Sequence, residues 1–461
     1  MDYINSIKKK NNLPLIFFGI IIIRFFVTII FNSFTKEEFE LQNAFIEKIF
    51  MLVQILLLVG LYAFNYKEIK INKRFIIMLL LTICSMTFIQ IKNFILKDFY
   101  VSDLLNIGFF FCNVFLFYVV LYDFKIDEKC MAAFFKCFIG FAVLAIIWNL
   151  FLFNKEILAE FGIVFEKADY SYLNNPKGFF SNRNTLAFFI FLAIIANSIL
   201  IKLEGDKKVY KILFFVLWFG VWCTHSKTAY LVTVIFLGGF VFFNDKLKIK
   251  QKIIMCTCIA LLTILGGLNI LGRIPINILL INKENHIEWT TLSEIKNSDI
   301  FEVEKHLTIS SNRVKKLSGR TAIWKAGIGI LRESPLNIIC GVGKVKAKQV
   351  LNDINGEKYM HFHSIYLEIM LNGGILELLL VVYIYYTIIK KIIKSDLKNS
   401  FKRLYIMSYI TYFVYILFES FGRFSTSPID VVCLIFFVSL PLLHANSTKN
   451  NELDINYNEK G

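Results

Sequence analysis

Charge is scarce in this 461-residue chain: Asp, Glu, Lys and Arg make up 19% of it, against 56% hydrophobic residues and a mean hydropathy of +0.60. So few charges cannot cover so much apolar area with a water-facing surface, which excludes a soluble globular protein. The sequence lacks a Walker A motif, an internal repeat that would read as two halves of a transporter, and any low-complexity tract. No small-residue cleavage site follows the apolar run behind Lys8, Lys9 and Lys10, so that run reads as a retained first helix and not as a secretory signal. The nine Cys fall mainly inside apolar segments, including Cys84, Cys112, Cys137, Cys256 and Cys258, where they read as small hydrophobes.

What is present is a series of apolar runs near the roughly 20 residues that a membrane-spanning helix needs. They read Leu13 to Phe34, Ala44 to Phe64, Phe75 to Leu96, Leu104 to Tyr122 and Met131 to Phe153 in the first half. Thr185 to Ile201, Ile212 to Cys223, Ala229 to Phe243 and Ile253 to Leu271 follow, then Ser364 to Ile389, Leu404 to Phe418 and Ile429 to Leu443. The expected fold is therefore all-α: a polytopic integral membrane protein of about twelve transmembrane helices with a large extracytoplasmic loop containing amphipathic helices. Its expected divisions are an N-terminus over 1–12, helices over 13–271, the large loop over 272–362, three further helices over 363–443 and a polar tail over 444–461.

The formal charge of +16 would suggest nucleic acid in a soluble protein, but here most Lys and Arg sit in short loops, where they set orientation. Placing both termini in the cytoplasm puts Lys67, Lys70, Lys73 and Arg74, then Lys207, Lys208 and Lys211, then Lys246 to Lys252, then Lys390 to Arg403 on the inside. The opposite loops, with Glu37, Glu38, Glu40, Asp98 and Asp103, are acidic or poor in base. One outer stretch, Arg273 to Phe362, is rich in Lys and Arg; a loop of that length crosses regardless of its charge. Its cations suit either lipid head groups or a phosphate-bearing substrate. Arg24, deep in the first helix, costs at least about 2.5 kcal/mol unpaired, with Glu368 and Glu377 as candidate partners.

Four outer patches join polar groups to helix ends. Gly178-Phe179-Phe180-Ser181-Asn182-Arg183-Asn184-Thr185 offers Ser or Asn to cap the next helix, leaving N–H groups outward. Thr224-His225-Ser226-Lys227-Thr228 is a hairpin so short that Lys227 must sit at the membrane surface, reaching lipid phosphate or a pyrophosphate. Ser318-Gly319-Arg320 opens an amphipathic helix in which Arg320, Trp324, Ile328 and Leu331 share a face; Ser334-Pro335 ends it, and Gly341 and Gly343 permit a tight return. His361-Phe362-His363-Ser364 sits at the mouth of a spanning helix that continues to Asn372-Gly373-Gly374. Imidazole is the side chain best suited to take a proton from a sugar hydroxyl near neutral pH, although a lone histidine is more often structural.

From Gly178 to Gly374 the sequence resembles the O-antigen ligase and polysaccharide polymerase family, bacterial membrane glycosyltransferases that use undecaprenyl-diphosphate-linked glycans. The match lies in four elements in order: Gly-Phe-Phe-Ser-Asn-Arg-Asn; the Ser-basic pair Ser226-Lys227; the helix from Ser318-Gly319-Arg320 to Trp324, closing at Pro335 and Gly341-Val342-Gly343; and a histidine opening the helix that carries Gly373-Gly374. Two departures are visible. The family commonly has Arg where this chain has Lys227, which brings charge without a two-pronged guanidinium. It also commonly has Asn after its histidine, where this chain has Ser364, so that His361 and His363 both remain in play; the spacing to Gly373 favours His363.

The resemblance implies Arg320 and His363 as catalytic residues and Lys227, Arg183, Trp324, Ser226 and His361 as substrate-binding ones. It implies no nucleotide, redox or other cofactor and a metal-independent reaction, and no aspartate pair with metal spacing occurs in the outer loops. The implied partners are an undecaprenyl-diphosphate-linked oligosaccharide, an acceptor glycan, the lipid bilayer of the bacterial cytoplasmic membrane, and a chain-length regulator or flippase of the same pathway, with no nucleic acid. A repeat-unit polymerase for O-antigen or capsule leads, a ligase moving finished glycan onto a lipid or protein is the alternative, and a transporter or lipid-linked glycan flippase is the third. A flippase is expected to line its helices with charge and not to collect it at one face.

Overall fold

The structure, a computed structural model, describes residues 72–95, 104, 107–115, 128–153, 183–205, 207–224, 226–243, 248–270, 278–281, 287–290, 320–355, 361–395 and 397–421, with isolated positions between 23 and 63 and between 433 and 437. In chain order the elements are α1 (Lys73–Ile95), α2 (Glu128–Phe153), α3 (Arg183–Glu204), α4 (Lys208–Cys223), α5 (Lys227–Phe242), α6 (Ile249–Ile270), β1 (Ile278–Ile281), β2 (Ile287–Thr290), α7 (Arg320–Arg332), α8 (Pro335–Cys340), α9 (Lys344–Asn355), α10 (Ile365–Lys394) and α11 (Asn399–Phe418). Among the described residues four helices are long and apolar enough to cross a membrane: α1, the Met131–Trp148 part of α2, α3 and α10. The chain is an integral membrane protein, nearly all helical. Apart from those isolated positions the expected runs 13–34, 44–64 and 429–443 lie outside the described residues, as do nine of the nineteen residues of 104–122 and Arg24.

One feature departs from an all-helical chain. β1 and β2 pair antiparallel, from Ile278 opposite Thr290 to Ile281 opposite Ile287. Both are four-residue runs rich in Ile, Leu and Trp, parted by five residues that include Asn282 and Asn285, a pattern that suits a hairpin.

Contact density divides the chain into two compact units, residues 1–134 with 322–461, and residues 135–321. In the first unit α10 is the hub, packed against α1, α8, α9 and α11. It is not continuous: Gly374 interrupts it at φ +71, a left-handed conformation that only glycine takes without strain. At the break the Leu371 carbonyl accepts from the amides of Val342 (2.7 Å) and Gly343 (3.2 Å). The backbones of the Gly341-Val342-Gly343 return and of Asn372-Gly373-Gly374 thus touch: a Cβ on Gly341 would lie 2.6 Å from the Asn372 carbonyl oxygen, and one on Gly374 would overlap Ile339 O. The glycine return foreseen after the amphipathic helix is a helix-to-helix clasp. Beside it Ile323, Ile330, Leu331, Val342, Phe362 and Leu371 form a buried cluster against which Trp324 packs. Asn372 donates to Glu377 at 3.0 Å, and Glu368 accepts from the Phe362 amide at 3.0 Å.

In the second unit α3 is the centre, with every residue from Thr185 to Leu200 buried. A helix that is apolar all round must be covered all round, and α4 and α5 both lie on it. Gly220 on α4 allows the approach, since a Cβ there would collide with Ile146 of α2. At the end of α3, Glu204 takes Lys136 at 2.5 Å, Lys207 at 2.8 Å and the Tyr210 hydroxyl at 2.7 Å.

The clasp predicts a contrast within one unit. Gly374→Ala should destabilise by about 2 kcal/mol or more, through strain and a backbone clash. Gly329→Ala, on α7 with open space around its Cβ position, should be neutral or stabilise by about 0.5–1 kcal/mol. Melting temperatures of the two detergent-purified variants check this.

Candidate functional site

In the second unit three of the expected cations come to one helix end. Arg183 opens α3 and Lys227 opens α5, and the charge of Arg183 is felt at Lys227. Arg320, at the start of α7, donates from Nη1 to Thr228 Oγ1 at 3.4 Å. The hairpin that carries Lys227 is anchored from inside: Thr224 is fully buried, and its hydroxyl donates to Val221 O at 2.7 Å. Ser226 occupies the N-cap of α5 without making a side-chain cap bond. Its hydroxyl is buried and has no hydrogen-bond partner among the described residues. A buried hydroxyl left so is costly, and it stands where the amides opening α5 and two neighbouring cations favour an anion.

Like charges held together cost energy unless an anion relieves them. Partial burial, and after it the Arg183 charge, lower the Lys227 ammonium below the usual lysine value. Ser181 and Asn182, the expected cap residues of α3, and His225 lie outside the described residues.

The histidines and Trp324 belong to the first unit. His361-Phe362-His363 alternates: Phe362 is buried at 3% exposure, while the two imidazoles lie 4.4 Å apart, centroid to centroid. His363 takes φ +53, a left-handed conformation unusual for a side-chain-bearing residue and a mark of a constrained turn. Two bonds hold that turn. Trp324 Nε1 donates to Phe362 O at 2.9 Å while its ring stacks on Phe418 at 6.3 Å, and Glu368 takes the Phe362 amide. Trp324 therefore braces the histidine segment through the backbone.

One residue that sequence reasoning did not single out completes this cluster. Glu419, the residue after α11, has no exposed side-chain surface, and its Oε2 lies 3.3 Å from His363 Nδ1. A buried carboxylate needs such a partner. The contact makes His363 Nδ1 the nitrogen that faces the acid. Its only signal in sequence was an acid directly following the apolar run Leu404 to Phe418, which is also what an ordinary interfacial residue looks like. His361, His363 and Glu419 together bring three potential metal-donor atoms within 4.8 Å of one another, a grouping that the outer-loop sequence did not suggest.

Residues 212–382 match the family model described as O-antigen ligase. The chain carries an O-antigen ligase family segment. The matched stretch takes in Ser226, Lys227, Arg320, Trp324, His361 and His363; Arg183 and Glu419 lie outside it. A match over this segment suggests glycan transfer of the polymerase or ligase type, on lipid-linked glycan in a membrane. No curated protein sequence matches the chain.

The cation cluster predicts that Arg183→Gln raises the pKa of Lys227 and slows its acylation by an amine-directed reagent at pH 8, as read by mass spectrometry of the Lys227 peptide. Unchanged labelling would show that the two side chains do not sense each other.

Proposed function

We propose that the chain polymerises undecaprenyl-diphosphate-linked oligosaccharide repeat units of a surface polysaccharide, O-antigen or capsule, at the outer face of the bacterial cytoplasmic membrane, with both termini in the cytoplasm. The observation that carries this reading is that Arg183 acts on Lys227 and Arg320 reaches Thr228, next to Ser226, whose buried hydroxyl has no hydrogen-bond partner among the described residues. A sugar on a diphosphate already has a good leaving group, and what limits its departure is the negative charge that develops on the phosphate oxygen. Cations held in place beside that oxygen stabilise this charge without having to reorganise at the moment of reaction.

The bond from the anomeric carbon to the diphosphate oxygen breaks, and its electron pair leaves with the diphosphate. The acceptor hydroxyl oxygen forms the new bond to that carbon. Its proton passes to His363 Nε2, and the Glu419 carboxylate on Nδ1 stabilises the imidazolium that results. Electrons and protons balance without an oxidant, a nucleotide or a metal ion. Lys227 and Arg183 serve as the binding cations, Arg320 as the cation at the leaving oxygen, and Trp324 as the brace that keeps the His363 turn in register. His361, beside His363, is assigned to the acceptor sugar. A diphosphate drawn to Lys227 and Arg183 also relieves their mutual repulsion, so that binding and local strain favour the same occupant.

Glycans of a deletion strain complemented with variants test the reading. His363→Asn is the informative substitution, because Asn tolerates the left-handed backbone while offering no base. It and Arg320→Ala should each lower transfer by about a hundredfold or more, and Glu419→Gln by about tenfold or more, leaving single repeats on the lipid carrier. Full-length chains stranded on the carrier would make the enzyme a ligase. Glycan of normal length in correctly inserted variants would remove glycan transfer from these residues.

A further inference from the structure

We propose that His361, His363 and Glu419 form a binding site for a late first-row divalent cation, with zinc as its probe. Their donor atoms lie within 4.8 Å of one another, and His363 Nδ1 and Glu419 Oε2 are 3.3 Å apart. Ligands held at about 2.0–2.1 Å around a tetrahedral ion stand roughly 3.3 Å apart, so this pair already has the right separation. His361, partly buried and with its ring 4.4 Å from that of His363, completes the set. Two imidazoles and one carboxylate are the donor set of a zinc site with a fourth position open to water, and nitrogen-rich sites favour zinc, copper and nickel over magnesium or calcium.

The surroundings are built like a ligand site. Glu419 has no solvent-exposed side-chain surface, which keeps its oxygen in place. The His361-Phe362-His363 turn is fixed at Phe362 by Trp324 and by Glu368, and its alternation turns both rings away from the buried Phe362. Nothing in the transfer chemistry calls for this ion. Its consequence is inhibition: an ion on Nδ1 takes the place of the proton facing Glu419 and moves the ring proton to Nε2, the nitrogen that must be bare to accept the hydroxyl proton. The inhibition rests on the role given to His363 above, whereas the binding does not, and the two are read separately.

The full-length protein, purified in detergent and stripped with chelator, is titrated with zinc, and cobalt is then used as a spectroscopic substitute. One zinc per chain is expected, weakened about tenfold or more by His361→Ala and likewise by Glu419→Gln, an isosteric change suited to the buried position. Cobalt should give four-coordinate visible bands without thiolate charge transfer, because the site contains no cysteine. Both variants must keep the wild-type melting temperature without metal; should Glu419→Gln lose it, His361→Ala alone decides, since His361 is partly exposed. The proposal is overturned by the absence of a saturable site, by affinity that neither substitution changes, or by a thiolate band that assigns the ion to cysteines. If zinc binds as expected and the wild-type enzyme transfers glycan equally well with it bound, the site stands and the role of His363 as base falls.

Discussion

Hydrocarbon solvates neither a charge nor an unpaired peptide group, and that constraint decides where this protein can keep its chemistry. A helix such as α3, buried along its length, has room for polar function only at its ends. Arg183 opens α3, Lys227 opens α5, His363 stands two residues before α10, and Glu419 directly follows α11. Among the described residues the buried acids have partners, as Glu419 has His363 and Glu377 has Asn372. The same constraint requires the break in α10 to be repaired from outside, and the return at Gly341 to Gly343 does this by donating two amides to Leu371 O.

The two groups of functional residues differ in how they are held. Lys227 sits on a hairpin secured by buried Thr224, where the like charge of Arg183 is felt. The histidine turn is held by bonds to its backbone, from an indole on α7 and to a carboxylate on α10, and by a second carboxylate beyond α11. A charged, polarisable donor suits the first arrangement, and an acceptor hydroxyl that must be met at one angle suits the second. Lys227 in place of the family's usual arginine fits this division. In the proposed reading a point charge serves to attract a diphosphate, while the directional contact falls to Arg320.

Much of this was legible in the sequence because membrane helices advertise themselves. A long apolar run has one reading, and Arg320 with Trp324 at one-turn spacing reads as an amphipathic helix, where the structure has α7. The family was legible for a related reason, since four short motifs in fixed order survive even where each is loose, and the matched stretch 212–382 covers three of them in full. What escaped was non-local. Glu419 lies 56 residues from His363, and no periodicity joins them. The break at Gly374 was hidden because a glycine pair within an apolar run also occurs in unbroken helices, and only the carbonyl of Ile339 pressed against it shows why glycine is needed. The bond from Trp324 to the Phe362 carbonyl likewise depends on where a residue 38 positions away folds back.

The central claim is that donor capture and acceptor activation belong to different side chains. The most direct measurement is the affinity of the purified protein for a fluorescent short-chain polyprenyl diphosphate sugar, read by polarisation in detergent. Lys227→Ala and Arg183→Ala should each weaken binding about tenfold or more, as expected for a lost charge-assisted contact, while His363→Asn should bind like the wild type. Donor binding lost with His363→Asn, or kept in both cation variants, would contradict the account.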